Sequence, residues 1–494
     1  MEEGSVLTGA GDGKASDSRS SLVVEIETMD KMPEHYSGGE ANEKLLEVSA
    51  GFGLSRIMEK GSCGSWVMEM EEMRADANPL VESARWSRHS IYRVPQFMKN
   101  MTNSEAYSPR FVSLGPLHHG EPHLLPMEEH KRRAVLHMVN RCGKPVQEFV
   151  AAIDEVADEL QAAYSDLDDE KWRGANKGRF VEMMVMDGCF LLEWLWSGLA
   201  AALNVNVQAL DYATNDPVFS VGGFNKLWAT IRRDMIAMEN QLPLVILQKL
   251  LAVSGKFLKA REINGMLLAL SGVDPSFGEG MDELGLHLLD IFHKSYCGTT
   301  PPWKPSDKHE TRMPCAVEQS EAGIQFRKSN MENIHDVGFK NGVLSMPLFE
   351  VNDDTEAELL NLMAFEWLHP DANSYMRWYI AFVDKIIVSE RDAALLRSQG
   401  IIANMVGSDK KVVEMFNTLT KLAVAPEPDS KLGEVIWMVN SHCEKRRNKW
   451  RASFMNTYLS NPWVFTSMVA AFILLVVALL QTVYTIVPFY TRKG

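Results

Sequence analysis

Between Ala452 and Thr491 the chain carries no Asp, Glu, Lys, Arg or His. Within that stretch, Trp463 to Leu480, continuing to Val487, is almost wholly apolar. A helix of about 20 such residues equals the thickness of a bilayer's hydrocarbon core, so residues 463–487 are expected to form a transmembrane helix. Trp463 stands at one end and Tyr484 and Tyr490 at the other. Amphipathic rings settle at membrane–water boundaries. A buried core helix is the competing reading, but no charge punctuates this run.

The flanks predict an orientation. Lys445, Arg446, Arg447, Lys449 and Arg451 lie just upstream, and only Arg492 and Lys493 follow. Basic flanks stay on the cytoplasmic side, which places the body in the cytosol and residues 488–494 across the membrane as a short tail. The start, Met1-Glu-Glu-Gly-Ser, has neither the basic nor the apolar region of a secretory signal. The expected class is therefore a single-pass, tail-anchored membrane protein. Plasma membrane and endoplasmic reticulum both fit, since their thicknesses differ little.

Ahead of the span, a chain of 494 residues has room for one large or two ordinary domains. Its net charge is −15, and residues 1–80 hold 16 acids against 7 bases. That acidity argues against nucleic acid as a partner, because phosphate binding needs a basic surface. Six scattered cysteines without a CxxC pair suit neither a disulfide framework nor a zinc site. Cys443 could accept a palmitoyl group, although an ordinary thiol is the simpler reading.

Residues 1–80 read as an acidic, disordered leader. A helical domain follows over 81–450, with a proline-marked linker near 298–315. Pro126, Glu128 and Glu129 suit a helix start. Residues 146–164 and 181–203 read as long helices. Ile231, Met235, Met238 and Leu242 recur at helical spacing up to Pro243. Alternation at Ile324 and Phe326 and at Val337 and Phe339, then Lys340-Asn341-Gly342 before Val343, predicts a β-hairpin. Helices resume at Thr355, a candidate N-cap, and break near His369-Pro370 and Pro426–Pro428. The fold class is thus mainly α: a multi-helix globular body with a small β-hairpin element and one C-terminal transmembrane helix.

Several segments occur in a telling order: Ile91-Tyr-Arg-Val-Pro95, Ala106-Tyr-Ser-Pro-Arg-Phe-Val-Ser-Leu-Gly-Pro-Leu-His118-His119-Gly120, and Met127-Glu-Glu-His-Lys131. Then come Asp187-Gly-Cys-Phe-Leu-Leu-Glu193, Asp234-Met-Ile-Ala-Met-Glu239-Asn-Gln-Leu-Pro243, Gly342–Pro347, Asn361–Glu366 and Asn461-Pro-Trp463. This order resembles the plant family called domain of unknown function 247, the UPF0481-type proteins, over about residues 86–490. Leu117 stands where the family usually has Tyr. The resemblance implies a largely helical plant protein, often with a C-terminal span and without an established reaction. Some grass members are implicated in pollen self-incompatibility, which implies recognition. The residues it singles out, as structural or interaction positions, are Pro95, Tyr107, Gly115, Pro116, His118, His119, Gly120, Lys131, Asp187, Glu239, Asn240, Gln241 and Pro243.

His118, His119, His123 and His130, beside Glu121, Glu128 and Glu129, are dense enough to bind a metal. No HExxH is present, and a tight Gly-Pro loop with histidines bonded to backbone and carboxylates is the preferred reading. Asp187 and Glu239 sit in apolar surroundings and need partners; Arg93, Arg232, Arg233 and the histidine loop are the candidates. No phosphate loop or GxSxG elbow is present. No catalytic residue, metal ligand or cofactor is therefore assigned. The expected function is a membrane-anchored recognition or scaffold protein, with the bilayer and an unknown protein as partners. The alternative is a membrane-bound, metal-dependent or acid/base hydrolase using the histidine-rich loop.

Overall fold

Local signals start most of the helices seen in the computed structural model, which describes residues 66–68, 70, 73, 74, 78–202, 211–273, 280–298, 312–329, 334–455 and 462–491. Almost all of the acidic leader and most of the 298–315 linker lie outside the described residues. The first half supplies α1 (Pro79–Trp86), α2 (Gln96–Met101), α3 (Pro126–Cys142), α4 (Val146–Asp154), α5 (Ala157–Ala162), α6 (Asp169–Trp172), α7 (Lys177–Ala202), α8 (Val221–Ile236), α9 (Val245–Val253) and α10 (Ala260–Leu270). Helix α3 begins with Pro126 and two acids in its first turn, as the sequence predicts, and ends on Gly143 at φ 67°. The helix expected over 146–164 is instead two, because Val156 leaves the helical region at φ −109°, ψ 7°.

Helix α7 runs through the middle of one apolar core and buries Phe180, Phe190 and Trp194. It packs on α3 most extensively, and also on α4, α8, α9 and α10. Gly188 permits the approach of α9, since a Cβ there would meet Ile246 Cγ2 at 2.5 Å and Leu250 Cδ1 at 2.6 Å.

The predicted helix through Leu242 stops at Ile236, and Ala237 turns out at ψ 130°. Spacing of apolar residues reports burial, and Met238 and Leu242 are indeed buried. Side chains, however, take the last carbonyls of α8. Asn240 Nδ2 donates to Asp234 O (2.9 Å), and Gln241 Nε2 donates to Met235 O and Ala237 O (2.7 Å each). Orphan carbonyls satisfied in this way need no further helical turn.

The second half continues with α11 (Leu288–Cys297), α12 (Ala316–Glu321), α13 (Thr355–Leu368), α14 (Tyr375–Ile386), α15 (Glu390–Ser398), α16 (Asp409–Leu419), α17 (Lys431–Cys443), α18 (Arg446–Phe454) and α19 (Pro462–Thr491). Its strands are β1 (Gln325–Lys328), β2 (Gly338–Lys340), β3 (Val343–Met346), β4 (Phe349–Val351) and β5 (Ile402–Asn404). Asn341 and Gly342, both at positive φ (52° and 78°), join antiparallel β2 and β3 as the Asn-Gly signal predicts. Strand β1 adds in parallel to β3, giving the order β1-β3-β2. A second, parallel pair of β4 and β5 had no local signal. Thr355 opens α13 as its first residue rather than its cap, and its Oγ1 accepts the Asn352 N–H at 2.9 Å. The break at His369-Pro370 falls where expected, after Leu368.

These elements surround a second apolar core, and α11 contributes to both: Leu288 and Ile291 to the first, Leu289 and Phe292 to the second. Helix α19 is different. Its segment Trp463–Tyr484 has a mean hydropathy of 2.6, none of it is buried, and it is long and apolar enough to cross a membrane. The helix continues to Thr491, beyond the expected end of the span at residue 487. The chain is mainly α, with small strands and a C-terminal apolar helix.

Candidate functional site

The segment from Ser90 to Gly120 contains little regular structure, yet much of it is buried. Buried backbone N–H groups must find acceptors, and those of Val94, Arg110, Phe111, Val112, Leu114 and Gly115 find side chains instead of other backbone. The residues that supply them come from the motifs.

Asp234, at the end of α8, accepts three successive N–H groups, from Arg110 (2.8 Å), Phe111 (2.7 Å) and Val112 (2.9 Å). Asn240 Oδ1 accepts Leu114 N–H at 2.6 Å, while its Nδ2 donates to Val112 O at 3.0 Å. Asp187 of α7 accepts Gly115 N–H at 2.8 Å. Gly115 lies at φ 79°, and a Cβ on it would come within 2.7 Å of Gln241 O and Tyr164 Oη. Gln241 Oε1 accepts Leu289 N–H from α11 at 3.0 Å. Asn361 of α13 accepts Met238 N–H (2.7 Å) and donates to Ala106 O (2.8 Å). His287, at the N-cap of α11, accepts Asp290 N–H on Nδ1 and bonds Ser90 O through Nε2 at 2.8 Å. Together these side chains clasp the irregular segment 90–115 onto α7, α8, α11 and α13.

Two charged clusters complete the clasp. Lys131 is fully buried, with its ammonium 2.6 Å from Glu128 Oε1, 2.7 Å from Asp187 Oδ1 and 3.0 Å from Ser113 Oγ. Burial raises the Asp187 carboxyl above its usual range, and Lys131 works against that rise. Glu239 accepts Val94 N–H at 2.7 Å, the Lys99 ammonium at 2.7 Å and His118 Nε2 at 3.2 Å. Burial pushes Glu239 up, but hydrogen bonds from His118 and Lys99 outweigh it and hold the carboxyl below its ordinary value. Asp234 is raised by burial despite its three N–H donors.

The structure therefore gathers Gly115, Lys131, Asp187, Asn240 and Gln241 with Glu239 and His118 around one clasp. Pro116 and Pro243 are buried in the same region, and Pro95 caps α2. Tyr107 is buried and bonds Thr102 Oγ1 at 2.8 Å. Gly120 is exposed at φ 91°, a conformation that suits glycine.

The four histidines do not share a ligand point. His118 bridges Glu121 (2.6 Å) and Glu239, His119 lies edge-on to Trp172, His123 leans on Pro109 O, and His130 faces Arg133. The arginines proposed as partners also go elsewhere: Arg93 to Asp166, Arg232 to Glu358, and Arg233 to Glu105 O. Lys99 and Lys131 take their place, because a lysine stem can run along apolar surface to a buried acid. Lys99 and His287 lie outside the motifs and carry no local sequence signal, and the roles of Asp234 and Asn361 carry none beyond membership of the motifs. A surface groove of about 490 Å³ opens beside the clasp, lined by Lys99, Glu105, Arg110 and His123 among others.

A family model described as a plant protein of unknown function, DUF247, matches residues 91–477, beginning at the clasp and ending within α19. The chain belongs to this family. Among DUF247-type relatives, the UPF0481 protein At3g47200 of Arabidopsis thaliana is 28% identical over 450 residues, covering 84% of this chain and 90% of the relative. The putative UPF0481 protein At3g02645 of the same plant is 22% identical, covering 79% of this chain and 89% of that relative. No solved structure matches the chain. The DUF247 motif residues thus serve as donors and acceptors to buried backbone.

Proposed function

We propose that this DUF247 protein is a membrane-anchored recognition or scaffold protein with its helical body on the cytosolic side. The observation that carries the reading is the apolar surface of Trp463–Tyr484 in α19, none of which is buried. Exposed apolar area of that extent is not left to water in soluble proteins, and a bilayer is the partner whose thickness it fits. Helix α18 supports the same reading. Lys445 at its N-cap and Arg446, Arg447, Lys449 and Arg451 within it are all exposed, as are Trp450 (72%) and Phe454 (44%). Bases near an anionic leaflet contribute about 1 kcal/mol each, and aromatic rings suit the interface.

Anchoring confines the body to a surface and raises its effective concentration for partners there. The process would be recognition of the kind the family resemblance implies, in self-incompatibility or signalling, at the plasma membrane or endoplasmic reticulum. Proximity labelling from an N-terminal tag tests it, comparing the full chain with one ending at Trp450. A short, reproducible set of protein neighbours that depends on the anchor is expected; only generic membrane neighbours would count against the recognition role.

One observation favours an acid/base hydrolase as a second reading. Lys99 lines the open groove and leads through Glu239 and His118 to the partly exposed Glu121. Glu239→Gln in a chain that stays folded would abolish turnover of an ester or amide panel on this reading, and would leave partner binding intact on the first.

A further inference from the structure

We propose that His293, Cys297 and Glu366 form a binding site for one divalent metal ion of the zinc class. None of them belongs to the histidine-rich loop. His293 and Cys297 lie one turn apart on α11, an i, i+4 pair on a single face, and Glu366 meets them from α13. His293 Nε2 is 2.8 Å from Glu366 Oε1, Cys297 Sγ is 3.3 Å from Nε2, and Sγ is 3.9 Å from Oε1. All three residues are buried, at 5%, 3% and 4% exposure.

Three points argue for an ion. The first is reach: a point about 2 Å from all three atoms lies inside their triangle, close to the roughly 2.0–2.3 Å of zinc bonds to nitrogen, oxygen and sulfur. The second is charge. A thiolate and a carboxylate neutralise a divalent cation, so the loaded site adds no net charge to the interior, where an uncompensated charge is costly. The third is donor type: an imidazole nitrogen, a cysteine sulfur and a carboxylate oxygen are the ligand atoms that zinc takes.

The ligands are held by their surroundings, as metal ligands need to be. Glu366 Oε1 also accepts Met376 N–H at 2.7 Å and Oε2 accepts Arg377 N–H at 2.9 Å, which fixes the carboxylate at the start of α14. His335 bonds the Cys297 carbonyl through Nε2, and its ring lies edge-on to Tyr375. Binding replaces the thiol proton, which leaves to solvent; no electron transfer is involved. Because α11 contributes to both apolar cores, the ion would staple α11 to α13 where the two cores meet.

The test is metal content of the full chain purified in detergent and dialysed against Zn²⁺, followed by replacement with Co²⁺. Close to one zinc per chain is expected, with a near-ultraviolet sulfur-to-cobalt charge-transfer band. Cys297→Ser should abolish that band, and His293→Gln should weaken zinc binding by tenfold or more. Added Zn²⁺ should raise the melting temperature of the natural chain and leave that of Cys297→Ala unmoved. Zinc far below one per chain in protein that still melts cooperatively would overturn the site, and this reading needs no variant. Full zinc retention by the folded Cys297→Ala, His293→Gln double variant would overturn it as well.

Discussion

Helices α7 and α19 both have the length and apolar composition to cross a bilayer, but their surroundings are opposite. The apolar window of α7 is 72% buried inside the protein and that of α19 not at all. Helix α7 carries Asp187 and Glu193 within its apolar run, and each meets a cation from α3: Lys131 at 2.7 Å and Arg141 at 2.7 Å. It also has Gly188, where α9 approaches. Helix α19 has no ionisable acid or base over Trp463–Tyr484 apart from the tyrosine phenol. Hydropathy alone places the two in one class. Paired interior charges and a glycine contact mark α7 as a helix surrounded by protein, and none of these features is present over Trp463–Tyr484 of α19.

The comparison can be broken most sharply at α19. The full chain should stay in the membrane pellet after carbonate washing, and a chain ending at Trp450 should become soluble. Persistence of the truncated chain in the washed pellet would mean that α19 is not the anchor.

Next comes the charge on α7. Removing one partner of a buried pair leaves the other uncompensated, at a cost of roughly 3–5 kcal/mol. Asp187→Ala should therefore lower the melting temperature of the body by many degrees in a fluorescence-detected melt. Asp187→Leu combined with Lys131→Met should recover much of that loss, and equal damage from single and double variants would refute the pairing.

A third effect separates the helices by pH. Burial pushes His287 down to about 4, with nearby Asp290 opposing this only in part. Unfolded, the imidazole takes its proton near pH 6.5. Its contribution is thus fully present above pH 6.5 and is lost as pH falls toward 4, on the order of 3 kcal/mol in all. Stability of the body against urea should drop across that window, and less so in His287→Gln, whereas membrane retention through α19 should be indifferent to it. The smallest effect is steric. Gly188→Ala overpacks the contact with Ile246 and Leu250 and should cost about 1–3 kcal/mol, while Ala470→Val on exposed α19 should leave the body's melting curve unchanged.

Much of the fold was readable because its signals are local. Pro126 and its acids start α3, Asn341-Gly342 turns the hairpin, and His369-Pro370 ends α13, each within a few residues. Where a distant group intervenes, the pattern misleads. Met238 and Leu242 keep helical spacing because both are buried, yet α8 ends early since Asn240 and Gln241 cap its carbonyls. The candidate site divides in the same way. The motifs name Asp187, Glu239 and Lys131, but Lys99 is joined to Glu239 across 140 positions and Ala106 to Asn361 across 255. Likewise the spacing of His293 and Cys297 carries no signal alone, because Glu366, 73 positions from His293, joins them only in the fold.

The sequence by itself determined the helical class, the hairpin, the apolar C-terminal helix and the set of motif residues. Each of these depends on periodicity, composition or backbone preference over a short window, which a linear chain records directly. Tertiary structure decided which acid meets which base, that the four histidines part company, and that α7 belongs to the core while α19 is bare. Those outcomes depend on which groups must be satisfied once water is excluded, and that is settled only when remote segments pack together.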